Sequence, residues 1–188
     1  MSRISLVQAD KATPEIKDIF ARISRNGALV INLYRALAHN PELLRNFIRL
    51  GGGLITATSL SPKLRELAIL RIARLCGSDY EWAQHYPIGL QSGISREQAE
   101  DIIHWNDSER FSTEERAILQ YTDEVTQNVT VKDATFNSLR NFLDEQATVE
   151  LTASIGYWNM VARILVPLQV DIDTRSIGSA EELTGRKD

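Results

Sequence analysis

The chain has 188 residues, a net charge of −4, 43% hydrophobic and 24% charged residues. At that length about 70% of the extended surface can be buried, so one domain without a disulfide or metal staple is sufficient. The composition excludes a largely disordered or collagen-like chain, and the acidic balance argues against a nucleic-acid partner.

Cys76 is the single cysteine, so an internal disulfide and a cysteine-based zinc site are both excluded. The first residues contain no apolar core of signal-peptide length, which together with the lone thiol points to the cytoplasm. The longest apolar stretch, 151–170, carries Asn159, Arg163, Pro167 and Gln169. It therefore reads as a buried helix rather than a membrane span.

Helical spacing dominates, and strand signals are scarce. Pro14 opens a short helix to about Ser24, and Asn26-Gly27 breaks it. Leu29 to Leu37 suggests a short buried helix. Asn40-Pro41 then restarts the chain as cap and first helical residue. Gly51-Gly52-Gly53 follows within this helix. With no Lys-Ser/Thr after it, the run reads as close packing or a bend, not a phosphate loop.

Ser61-Pro62 opens the next helix, and Gly77 ends it. Ser78-Asp79-Tyr80-Glu81 has the form of a capping box. It starts a helix through Trp82 and His85 to Gly93, which Pro87 should bend. Ser95 with Gln98 starts another. Further helices are predicted from Ser112 through Tyr121, Val125 and Val129, from Val131 to Leu143, and from Ala147 to Leu165. Pro167 should end the last one, and the chain from Asp171 onward reads as a polar, frayed tail. The segments after Leu60-Ser61 and Phe111-Ser112 echo each other. That is compatible with a duplicated two-helix unit, and equally with a common way of starting a helix.

Ser78, Glu81 and His85 stand three and four residues apart, on one helix face. A carboxylate four residues before an imidazole can accept its N–H and make an acid–base pair. Glu/His at this spacing is also common on solvated faces. Here the flanks are Tyr80, Trp82, Tyr86 and Ile88, and Pro87 follows closely. His39 and His104 fall near helix ends, where each can serve the helix dipole. There is no HExxH or other metal set. Cys76 precedes the helix and is a poor partner for His85.

The run Leu64-Arg65-Glu66-Leu67-Ala68-Ile69-Leu70-Arg71-Ile72-Ala73-Arg74-Leu75, then Tyr80-Glu81-Trp82-Ala83-Gln84-His85, then Gly93-Ile94-Ser95, resembles the carboxymuconolactone decarboxylase family. That family includes the AhpD-like alkylhydroperoxidases. The resemblance is strongest from Ser61 to Ile103. It implies an all-α, AhpD-like fold of eight or nine helices that assembles as trimers or hexamers. It also implies a domain over residues 1–171 with a tail at 172–188. AhpD-like members carry a Glu, a Cys-x-x-Cys and a His four residues later. Here the Glu and His positions match Glu66 and His85, but Ser78 and Glu81 stand where the two cysteines would be. The dithiol is absent, and Cys76 is displaced by two residues.

What remains suits proton chemistry without cofactor or metal. His85 could deliver a proton, Glu81 orient it, and Glu66 tune the pair. Ser78, Tyr80, Trp82 and Arg71 are candidate substrate contacts, and Tyr157 and Trp158 could also line a pocket for a flat organic acid. The expected activity is decarboxylation of a lactone or keto acid. The alternatives are an AhpD-like antioxidant using Cys76 and a non-catalytic oligomeric binding protein. The last would leave Glu81 and His85 in open solvent.

Overall fold

In a computed structural model, residues 1–25 and 27–174 are described. Their regular structure is helical throughout, with nine α-helices and one 3₁₀ turn. Two expectations, the Asn26 half of the first break and most of the tail, lie outside the described residues.

The helices are α1 (Pro14–Arg25), α2 (Asn32–Leu37), α3 (Pro41–Thr56), α4 (Pro62–Leu75) and α5 (Asp79–Gln91). After them come α6 (Arg96–Asp101), the 3₁₀ turn Ile102–His104, α7 (Thr113–Asn128), α8 (Asp133–Arg140) and α9 (Glu145–Leu168). Their starts follow side-chain chemistry. Asn40 accepts the Leu43 N–H at 3.0 Å and Asp144 the Ala147 N–H at 2.7 Å. Ser95 with Gln98 and Ser112 with Glu115 close full capping boxes. Each satisfies amides that the first helical turn leaves unpaired.

The predicted box at Ser78 forms only half. Ser78 Oγ accepts the Glu81 N–H, but the Ser78 N–H goes to the Ala73 carbonyl at 2.8 Å. The Glu81 side chain is thereby left to turn inward.

The centre of the molecule is α4. Leu67, Ala68, Ile69, Leu70, Ile72 and Ala73 are all buried, and α5, α7 and α9 pack around it. A helix that is apolar on every side belongs in a core. Its polar residues Arg65, Glu66 and Arg71 are buried with it. The larger apolar cluster takes in Ala68, Ile69 and Ile72, and a second one joins Leu67 and Leu70 to Ile94, Ile102, Trp105, Phe111 and Leu119.

Of the three consecutive glycines, Gly51 explains the run. A Cβ there would collide with the Tyr157 hydroxyl of α9, whereas none would meet anything at Gly52 or Gly53. Tyr157 uses the space to donate to the Phe47 carbonyl at 3.1 Å. Val129, expected on the apolar face of α7, instead caps that helix with φ 66° and faces solvent. The last helix runs through Pro167 to Leu168, three residues beyond the expected Leu165, and stops at Gln169 in the left-handed region. Among the described residues no helix is long and apolar enough to cross a membrane.

The chain after α9 does not fray at once. Asp171 pairs with the Met1 amino group at 3.1 Å and accepts from Ser2 N and Oγ. Asp173 accepts the Asn32 N–H at 2.9 Å. The fraying expected from Asp171 onward is therefore corrected over residues 171–173.

Candidate active site

Burial of α4 carries Glu66 into the interior, where it meets His85 of α5. Glu66 Oε2 lies 2.8 Å from His85 Nδ1. On the other side of the ring, Trp158 Nε1 lies 2.9 Å from His85 Nε2. An indole nitrogen can only donate, so Nε2 accepts. The proton is then on Nδ1, which donates to Glu66. Both ring nitrogens are engaged and the tautomer is set. The indole also meets the imidazole edge-on, at 5.5 Å between centroids.

Arg65 continues this line, with its Nε 3.5 Å from Glu66 Oε1. That is an ion-pair contact, and neither atom has a hydrogen-bond partner.

Glu81 is 1% exposed, and neither of its carboxyl oxygens has a hydrogen-bond partner in the protein. Burial pushes its carboxyl well above the ordinary carboxylate range. The Ser78 hydroxyl opposes this and the negative charge of Glu66 adds to it. Burial thus favours the protonated form of Glu81, which can donate a hydrogen bond. It borders a cavity of about 50 Å³ shared with Tyr80, Gln84, His85, Tyr157 and Trp158. The rest of the wall is apolar: Ile31, Leu33, Phe47, Ile55, Val161 and Leu165, with Gly51. Such a space holds a few water molecules at most, so a larger ligand enters only if the surrounding side chains open it.

Several expectations are corrected by these contacts. The residue that orients His85 is Glu66, not Glu81, because Glu81 leaves the pair and faces the cavity. His85 also has no free nitrogen from which to deliver a proton in this arrangement, whereas Glu81 has a free carboxyl.

Arg71 does not contact the cavity. Its guanidinium grips Asp123 at 2.6 and 2.9 Å and the carbonyls of Ile102 and Ile103 at 2.9 and 3.0 Å. It ties α4 to α7 and the 3₁₀ turn. Trp82 also points elsewhere, stacking under Arg74 at 3.5 Å and beside Tyr86. Ser78 is buried as the cap of α5 and does not line the cavity. Tyr80, Tyr157 and Trp158 do line it.

Cys76 caps α4 outside the cavity, 3.9 Å from Asn159 Oδ1 and 4.0 Å from Arg163 Nη1. Burial raises its thiol pKa, against the opposing charge of Arg163. That is the wrong direction for an attacking thiolate. His39 bonds the Ser5 carbonyl at 2.7 Å, and His104 is exposed. Among the described residues no three His, Cys, Asp or Glu side chains form a metal set.

Two functional neighbours had no assigned role in the sequence. Gln84 lines the cavity one turn after Tyr80, and that i, i+4 spacing was the available signal. Asp173 reaches both of them from beyond α9, and nothing local in the sequence marks that contact.

The family model described as carboxymuconolactone decarboxylase (CMD) matches residues 41–124, which include Glu66, Ser78, Glu81 and His85. The protein YnjA of Escherichia coli (strain K12) is 34% identical over 106 residues, 55% of this chain and 58% of that protein. The aligned part thus spans less than two thirds of that relative. A peroxidase-related protein from Silicibacter sp. TM1040 superposes with a TM-score of 0.80 at 17% identity, covering 95% of each chain. The debrominase Bmp8, in complex with 2,3,4-tribromopyrrole, gives 0.76 at 17% identity over 93% of this chain and 95% of that one. At such identities the likeness shows a shared fold.

Proposed function

Because the chain belongs to the carboxymuconolactone decarboxylase and AhpD-like superfamily, we propose that it is a thiol-independent, cofactor-free carboxy-lyase. Its substrate would be a small lactone or keto acid of the carboxymuconolactone type. The single observation that carries this reading is Glu81: a buried carboxyl with no hydrogen-bond partner, whose charged form burial disfavours, facing a small apolar cavity beside His85.

In such a reaction the bond to the departing carboxylate breaks and carbon dioxide leaves. The electron pair passes to the neighbouring carbon and spreads onto the carbonyl. Glu81 delivers a proton to that carbon and then regains one from solvent, so the net reaction consumes one proton. An apolar wall favours the charge-dispersed transition state over the localised carboxylate. A placed general acid contributes about 10²–10⁴-fold. His85, held by Glu66 and Trp158, fixes one wall of the cavity. Ser78 and Glu81 at the cysteine positions, and the raised thiol pKa of Cys76, weigh against peroxide chemistry.

The test is carbon dioxide release from a panel of γ-carboxylated lactones and β-keto acids. We expect turnover with at least one of them, reduced at least about 100-fold in Glu81→Gln. Full turnover in that variant, or none with any substrate, would overturn the reading.

A further inference from the structure

We propose that Tyr80, Gln84 and the Asn32 backbone N–H form a carboxylate-binding site for an organic acid, and that the chain's own Asp173 occupies it in the ligand's place. As the anchoring half of the acid–base site, this rests on the reading given above.

Asp173 Oδ1 accepts the Asn32 N–H at 2.9 Å. Oδ2 accepts from Gln84 Nε2 at 2.9 Å and from the Tyr80 hydroxyl. That hydroxyl in turn accepts the Leu33 N–H at 3.1 Å, which leaves its own proton for the carboxylate. Burial, then the Asp173 charge, raises the phenol pKa, so Tyr80 remains a donor. Burial raises the Asp173 carboxyl above its ordinary value, while the Tyr80 hydroxyl, the Asn32 N–H and the positive charge of Arg35 oppose that shift and favour the anion. Three donors converge on two oxygens of one carboxylate. A phosphate would bring more oxygens and more charge than these donors can meet.

The position suits a substrate anchor. Tyr80 and Gln84 also line the cavity of Glu81 and His85. The two pairs are consecutive on α5, so they stand about 1.5 Å apart in height and about 100° apart around the helix. On the outer side, Asp173 and Arg35 border an open groove of about 590 Å³. Ile31 lines both spaces. The carboxylate site thus stands between an open approach and the enclosed acid. It supplies, through neutral donors, the carboxylate contact that Arg71 does not.

The Asp173 strap is displaceable. Its neighbour Asp171 is held through exposed contacts to Met1, Ser2 and the Asn32 side chain. Exposed pairs of this kind contribute little. A tethered carboxylate competes with a free one at an effective concentration in the millimolar range.

The probe is benzoate, with benzamide as its uncharged isostere, titrated calorimetrically into the full chain. We expect Asp173→Ala to tighten benzoate binding at least about tenfold, as the competitor is removed. Benzamide should not gain. Adding Gln84→Glu to Asp173→Ala should abolish the gain while the circular dichroism spectrum is retained, and Tyr80→Phe serves if that variant misfolds. Equal benzoate affinity with and without Asp173, a gain shared by benzamide, or a gain that survives both donor variants would overturn the proposal. Adding Glu81→Gln to Asp173→Ala should keep the benzoate gain. A protein with that gain but no lyase turnover keeps the carboxylate site and loses the lyase reading.

Discussion

The indole of Trp158 and the carboxylate of Glu66 hold opposite nitrogens of His85, at 2.9 and 2.8 Å. A residue of the last helix and one of the central helix therefore set the proton position on a ring between them. Nitrogen-15 spectra of labelled protein should show His85 protonated at Nδ1 and unprotonated at Nε2. Trp158→Phe should leave Nδ1 protonated and shift only the Nε2 resonance. Only the double variant Glu66→Leu with Trp158→Phe should remove the preference for Nδ1, because Trp158 by itself still requires Nε2 to accept. Leaving one buried polar group unpaired costs about 1–3 kcal/mol, so both variants should be less stable. A His85 ring carrying its proton on Nε2 in the parent would contradict this arrangement.

Glu81 makes a separate prediction about pH and stability. Its folded carboxyl titrates well above the ordinary value, while the unfolded chain ionises near it. Between the two, the folded state holds a proton that the unfolded state has released. Stability therefore falls as pH rises, by about 1.4 kcal/mol per unit, until the folded group also ionises. Glu81→Gln removes that slope. Urea unfolding of parent and variant across pH 4 to 8 should show the variant gaining relative to the parent. Parallel profiles would mean that Glu81 is ionised in the folded state. Catalysis should share the sign, declining in the parent as pH rises through the folded pKa of Glu81.

The helices were legible because their start signals are local. Asn40-Pro41, Ser95 with Gln98, and Ser112 with Glu115 each cap a helix as their residue types predict. The nearness of Glu81 to His85 was legible, but the geometry around the ring was not. Spacing put Glu81 and His85 on one face, but a pattern along one helix cannot show that Glu66 on another reaches the ring first. The role of Arg71 failed for a related reason. An arginine in a long apolar helix looks available for a substrate until Asp123, 52 residues later, is seen to enclose it. Asp173 was unreadable because its partners come from α2 and α5, far away in sequence.

Arg71 should matter to stability and not to substrate. Asp123→Ala leaves a buried guanidinium without its carboxylate, and breaking such a pair costs about 3–5 kcal/mol. Thermal unfolding should show a much lower midpoint. Turnover per folded molecule, measured well below that midpoint, should match the parent with an unchanged KM. A raised KM in folded Asp123→Ala would return Arg71 to the substrate site.

Gly51 is the residue on which the cavity's shape depends most directly. A single methyl there must move the Tyr157 hydroxyl, which is bonded to the Phe47 carbonyl and whose ring packs 5.0 Å from that of Phe47. Tyr157 also packs edge-on against Trp158 at 4.9 Å. Displacement would therefore pass to the indole that holds His85. Overpacking of this kind costs about 1–3 kcal/mol. Gly52→Ala, about 100° around the helix with nothing near its Cβ, should instead be neutral or mildly stabilising, since alanine is favoured over glycine in a helix. Gly51→Ala should thus lower both the unfolding midpoint and the turnover, and Gly52→Ala neither. Adding Tyr157→Phe to Gly51→Ala removes the clashing oxygen and should restore part of the stability. If the two glycine variants behave alike, close approach of α3 and α9 is not what the glycine run provides.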